Sequence, residues 1–119
     1  MILVNLTVDE NGIINSVSSI GHEPSGQAKD ESGIICSAVS SLLRSYAVSL
    51  ENDKSVKLKG KAPARGEFYL RIDKYSDLRR DWIRGLGSFL KTGLDLIKQD
   101  FPGSLTIITD IDKGVNNGS

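Results

Sequence analysis

The sequence predicts an α+β fold, with two helices packed on one face of a small five-stranded mixed sheet, in the order ββα-ββα-β. Three patterns predict it. Runs with period-two alternation recur at 2–8, 13–20, 54–59 and 68–72, as half-buried strands require. Two longer runs, at 35–50 and 78–97, carry the i, i+3, i+4 stripe of helices packed on a sheet. Turn chemistry separates the paired alternating runs, at Asn11-Gly12 and across 60–66.

In the first run Ile2, Val4, Leu6 and Val8 share a face, while Asn5 and Thr7 point the other way. Asn11-Gly12 supplies the positive φ angles of a tight hairpin turn, and the chain returns through 13–20. Ser16, Ser18 and Ser19 mark that return strand as edge-like or exposed on one face. The stretch 21–33 has no apolar period and includes Pro24, so it reads as a loop of the kind that carries function.

From Ile35 apolar residues fall at 35, 38, 39, 42, 43, 46, 47 and 50, a helix with Ser32 or Gly33 as its expected cap. Asp30 and Glu31 put negative charge where the helix dipole favours it, and Cys36 falls in the first turn. Val56 and Leu58 then point inward while Lys54, Lys57 and Lys59 point outward. After a turn holding Pro63, Phe68, Leu70 and Ile72 alternate with Tyr69, Arg71 and Asp73, completing a second hairpin.

Ser76 is the expected cap of a second helix through Leu78, Trp82, Leu86, Phe89, Leu90, Leu94 and Ile97. Gly85, Gly87 and Gly93 interrupt it at about 1 kcal/mol each relative to alanine, which points to close packing against the first helix or another chain. Phe101-Pro102-Gly103 ends it, and the unbroken apolar run 105–108 predicts a central strand. Residues 1–113 form one domain and 114–119 a flexible tail. The helices leave one sheet face uncovered, and Leu3, Tyr69 and Ile108 make it apolar in places, so a homodimer is expected.

Fifteen basic residues balance fifteen acidic ones, so no overall field steers the chain to DNA or an anionic membrane. Lys54, Lys57, Lys59 and Lys61, and Arg79, Arg80 and Arg84, read as solvated faces before they read as contacts with ribosomal RNA. Apolar runs stop at four or five residues, and Ile2-Leu3-Val4 gives way to Asn5, unlike a membrane span or signal peptide. One cysteine cannot form an internal disulfide or a Cys-based zinc site, so the expectations are a reducing cytoplasm, no metal and no cofactor.

His22 is the only histidine and Cys36 the only cysteine. Only a thiolate attacks, and a helix N-terminus or a neighbouring imidazolium favours that form. First-turn N–H groups can also receive the oxyanion of a tetrahedral intermediate. Against this, Asp30 and Glu31 disfavour a thiolate, and a cysteine flanked by Ile34, Ile35 and Val39 also fits a plain core residue. The residues alone therefore admit a nucleophile, a non-catalytic module binding a peptide or anion, or a redox-sensing thiol lacking a resolving partner.

At these residues the sequence resembles the bacterial ribosomal-processing cysteine proteases, the Prp or YsxB family. The shared pattern is Gly21-His22, a glycine-containing loop, then Ile34-Ile35-Cys36-Ser37-Ala38-Val39-Ser40 opening the first helix. Element order and length match as well, so the resemblance covers essentially the whole chain. It implies an endopeptidase that removes an N-terminal extension from a large-subunit ribosomal protein, with Cys36 as nucleophile and His22 as base. It also implies a homodimer, a supporting role for Gly21, Gly33 and Ser40 at the site, and a loop that orders over substrate. Gly33 stands where the family usually carries an acidic residue, a role that falls to Asp30 or Glu31 or is absent. Glu23 replaces the usual small residue after Gly-His, and the loop is about two residues longer.

Overall fold

A computed structural model describes residues 1–21, 31–61 and 66–112. Its elements are β1 (Ile2–Val8), β2 (Ile14–Ile20), α1 (Glu31–Glu51), β3 (Lys57–Lys61), β4 (Glu67–Lys74), a 3-10 turn (Asp77–Arg79), α2 (Arg80–Asp100) and β5 (Leu105–Ile111). The sheet order is β3-β4-β2-β1-β5. β5 runs parallel to β1, and the other neighbours are antiparallel. This is the predicted α+β class and the predicted element order. The tail after residue 112 lies outside the described residues.

Register explains which face carries the core. Val4 sits beside Ser19 on one side and Ile107 on the other, and Val17 lies between Leu6 and Leu70. These helix-facing positions, with Ile2, Ile72 and Leu105, join Ile35, Val39, Leu43 and Leu50 of α1 and Ile83, Leu90 and Leu94 of α2 in one buried cluster. The other face is open: Tyr69, Ser18, Asn5 and Ile108 form a row across four strands, with Tyr69 and Ile108 exposed.

Two strand placements differ from the sequence expectation. β2, expected at an edge because of its serines, lies between β1 and β4, and β5, expected to be central, is an edge. Ser16 and Ser18 face the open side of the sheet, so their polarity reports a solvated face and not a missing neighbour. β5 arrives last, across α2, and pairs with β1 alone. The first turn also differs. Gly12 N–H donates to the Asp9 carbonyl at 3.0 Å and Gly12 takes φ 79°, while Asp9 Oδ1 accepts from the N–H groups of Asn11 and Ile13. This is a longer loop closed by a glycine and an Asx turn, in place of the expected two-residue Asn-Gly turn.

α1 buries the predicted stripe, with Ala38 and Leu42 half-buried at its margin. Its residues Gly33–Glu51 reach a mean hydropathy of 1.4, apolar and long enough by composition to cross a membrane. Here the apolar stripe lies against the sheet, while Ser37, Ser41 and Ser45, together with Ile34 and Val48, face outward. Tyr46 fixes the helix along the strand: its hydroxyl donates to the Ile14 carbonyl at 2.8 Å, and burial raises the phenol well above its ordinary pKa, keeping it a donor. Tyr46→Phe is expected to cost about 1–3 kcal/mol by leaving that carbonyl unpaired, read as a lower urea midpoint at unchanged slope.

In α2 the glycines separate by role. A Cβ at Gly87 would lie 3.3 Å from Ile14 Cδ1, and one at Gly93 would lie 2.8 Å from Leu42 Cδ1, so both permit close packing within the chain. Among the described residues, nothing lies within 4 Å of a Cβ at Gly85. Trp82, Phe89 and Leu78, counted in the helical stripe by sequence, are exposed, and the buried line is Ile83, Gly87, Leu90 and Leu94. Ser76 caps the 3-10 turn that leads into the helix, accepting from Leu78 N–H at 3.3 Å.

Candidate active site

Cys36 is free, half-buried and packed against the edge of the core. α1 begins at Glu31, so Cys36 is in the second turn and not the expected first, and Ser32 and Gly33 lie inside the helix instead of capping it. This placement has a chemical consequence. The Cys36 N–H belongs to the i→i−4 ladder and is not available as an oxyanion donor, and the dipole effect, strongest in the first turn, is weaker at its position. Helical side chains lean toward the N-terminus, over the preceding turn. Gly33, one turn earlier on the same face and itself buried, brings no side chain into that space. Ser40, one turn later, is exposed.

The level of Cys36 along the sheet follows from the Tyr46–Ile14 hydrogen bond. From Tyr46 back to Cys36 the helix spans about 15 Å at its usual rise. β2 advances about 3.3 Å per residue in the opposite sense, which sets Cys36 at about the height of Ser19. Ser19 and its neighbour Phe68 on β4 are the helix-facing residues there. Ser19 is the polar residue buried among the described ones, although its strand reads as exposed on one face by sequence. Alternation places it on the face of Val17, opposite to Ser16 and Ser18, a distinction hidden when the three serines are read together as a polar strand.

Just beyond this level β2 gives way to Gly21, whose φ of 119° is closed to most L side chains. A Cβ there would overlap the Met1 carbonyl oxygen and fall 3.1 Å from Ile2 Cα, both backbone atoms. The Gly21 N–H donates to the Gly66 carbonyl at 3.2 Å. Gly21 therefore sets the direction in which the chain leaves β2 toward His22. His22 itself, with Asp30 and the remainder of 22–30, lies outside the described residues. Gly33, Cys36 and Ser40 lie within the first three turns of α1, and Gly21 follows the last residue of β2.

The far end holds a different feature, a cavity of about 320 Å³ lined by Ser49, Asn52, Asp53, Lys54, Arg79 and Trp82. Arg79 stacks over Trp82, 4.7 Å from its centroid, and Arg79 Nε donates to Asp53 Oδ2 at 2.6 Å. Hydrogen bonds from Ser55, then the Arg79 guanidinium, hold the Asp53 carboxyl below its usual range. Lining residues at 49–54 lie more than three turns of α1 from Cys36, so this cavity is separate from the thiol. The basic clusters are locally opposed as well: Arg80 pairs with Asp77, Arg84 with Asp81, and Lys59 with Asp73.

The family model described as cysteine protease Prp matches residues 1–106. The chain belongs to the Prp cysteine protease family. No curated protein matches it. Among solved structures it is similar to the ribosomal processing protease Prp of Staphylococcus aureus with a covalently linked product peptide. That match has 20% identity and a TM-score of 0.74, covering 92% of this chain and 100% of that one. The same S. aureus protease with a substrate peptide matches at 19% identity and TM-score 0.70, over 94% and 100% of the two chains. SMU.848 from Streptococcus mutans matches at 21% identity and TM-score 0.69, over 94% and 96%. At these identities the structures show a shared Prp fold.

Proposed function

We propose that this chain is a cytoplasmic cysteine endopeptidase that removes the N-terminal extension of a bacterial large-subunit ribosomal protein, working as a homodimer with Cys36 as nucleophile and His22 as acid and base. The observation that carries the reading is the match of residues 1–106 to a cysteine protease family by a chain with a single cysteine. The S. aureus structures described as holding substrate and covalently linked product peptides support a peptide as the ligand class.

The chemistry follows from the residues. The Cys36 sulfur, its proton passed to His22, attacks the scissile carbonyl carbon, and the tetrahedral intermediate collapses as the amine leaves with the proton from His22. Water, deprotonated by His22, then hydrolyses the thioester and frees the thiol. Because Cys36 is in the second turn, charge on the oxyanion is met by donors other than its own N–H. Acid-quenched mass spectrometry with a peptide spanning an extended ribosomal-protein N-terminus tests this. The expected result is an adduct on Cys36 of the N-terminal product mass less water, decaying to free enzyme and product. A wild-type enzyme that neither forms the adduct nor cuts the peptide would overturn it.

A further inference from the structure

We propose that the solvent-facing stripe of α2 is a homodimer interface, in which two copies of α2 pack antiparallel about a two-fold axis level with Gly87. The proposal rests on the homodimer reading above and assigns its surface. Trp82, Phe89 and Leu96 recur every seven residues and are 39%, 72% and 53% exposed. Leu78, Gly85 and Thr92 recur with the same spacing between them, and all three are exposed, Leu78 in the 3-10 turn that enters the helix. Together they form the a and d positions of a heptad seam on a helix whose core face is Ile83, Gly87, Leu90 and Leu94.

The seam complements itself in one register. With the helices antiparallel and centred on Gly87, Phe89 of one copy meets Gly85 of the other, Trp82 meets Thr92, and Leu78 meets Leu96. Each aromatic knob faces a small residue, and the ends close leucine on leucine. In antiparallel coiled coils a positions layer against d positions of the partner, which is the arrangement obtained. Gly85 supports a second copy as the occupant. Among the described residues nothing lies within 4 Å of a Cβ at Gly85, while Gly87 and Gly93 each admit a neighbour. Near the centre of the seam charges are paired in place, Arg84 with Asp81 and Lys91 with Asp95.

Sedimentation equilibrium of the full chain, paired with thermal unfolding, tests the interface. Phe89→Glu should be monomeric where wild type is dimeric. Gly85→Leu, whose side chain enters open space in the single chain and improves helix propensity, should weaken dimerisation by about tenfold or more without lowering the unfolding midpoint. The double variant Gly85→Phe with Phe89→Gly moves knob and hole together and should restore dimerisation. A monomeric wild type would overturn the homodimer reading altogether. A dimer insensitive to Gly85→Leu and Phe89→Glu would leave that reading standing and overturn this interface.

Discussion

Cys36→Ala is expected to abolish cleavage of the extended ribosomal-protein peptide while leaving the protein folded. The substitution removes one half-buried sulfur at the edge of the core, a site able to relax toward solvent, so the stability cost should be about 1 kcal/mol or less. The rate effect is far larger. Losing a nucleophile removes the covalent route itself, and about 10⁴-fold or more of the turnover should go with it. Chromatographic product assays beside a thermal melt separate the two effects. Retained cleavage in a folded Cys36→Ala protein would remove the nucleophile assignment. His22→Ala should slow adduct formation on Cys36 by about 10²-fold or more, because it removes proton transfer and leaves the sulfur in place.

The second large effect is structural, at Gly21. Alanine there meets two penalties together: a φ of 119° that L residues rarely adopt, and a Cβ that overlaps the Met1 carbonyl oxygen. Backbone strain alone costs about 1–3 kcal/mol. The overlap forces β1 and the end of β2 apart, so the total should exceed about 3 kcal/mol, and surviving folded protein should cleave poorly because the exit toward His22 is displaced. Gly103→Ala is the control. Gly103 also has positive φ, 84°, but nothing lies within 4 Å of its added Cβ, so it should show the dihedral cost alone. Urea denaturation of the two variants decides it, and equal destabilisation would mean that the contact with Met1 carries no weight.

Elements whose signal is local are legible in the order of residues. The β1 alternation and the α1 stripe depend on which side chains repeat with which period, and the structure buries both stripes. Strand neighbours are not legible in this way. Ser16 and Ser18 lower the hydrophobicity of β2 without saying which side of the sheet they face, and the run at 105–108 carries no mark of arriving last beside β1. The stripe of α2 misleads differently. Trp82 and Phe89 keep helical spacing with Leu86 and Leu90, so periodicity merges two faces that packing separates. At the site, Gly33 argues for a helix beginning after it. The helix starts at Glu31, because burial of Gly33 and Ile35 against the core outweighs the propensity cost of one glycine, about 1 kcal/mol.

The chain's own order of residues determined its class, its element order and the separation of its one histidine from its one cysteine by a polar stretch. These are properties of spacing and composition, and they need no partner in space to be read. Tertiary structure alone decided that Gly21 is wedged against the first residue's carbonyl, that Cys36 sits a full turn inside α1, and that a Cβ at Gly85 would meet no neighbouring segment among the described residues. Each depends on what a distant segment brings within a few ångströms, and contact at that range is set by how helices and strands pack.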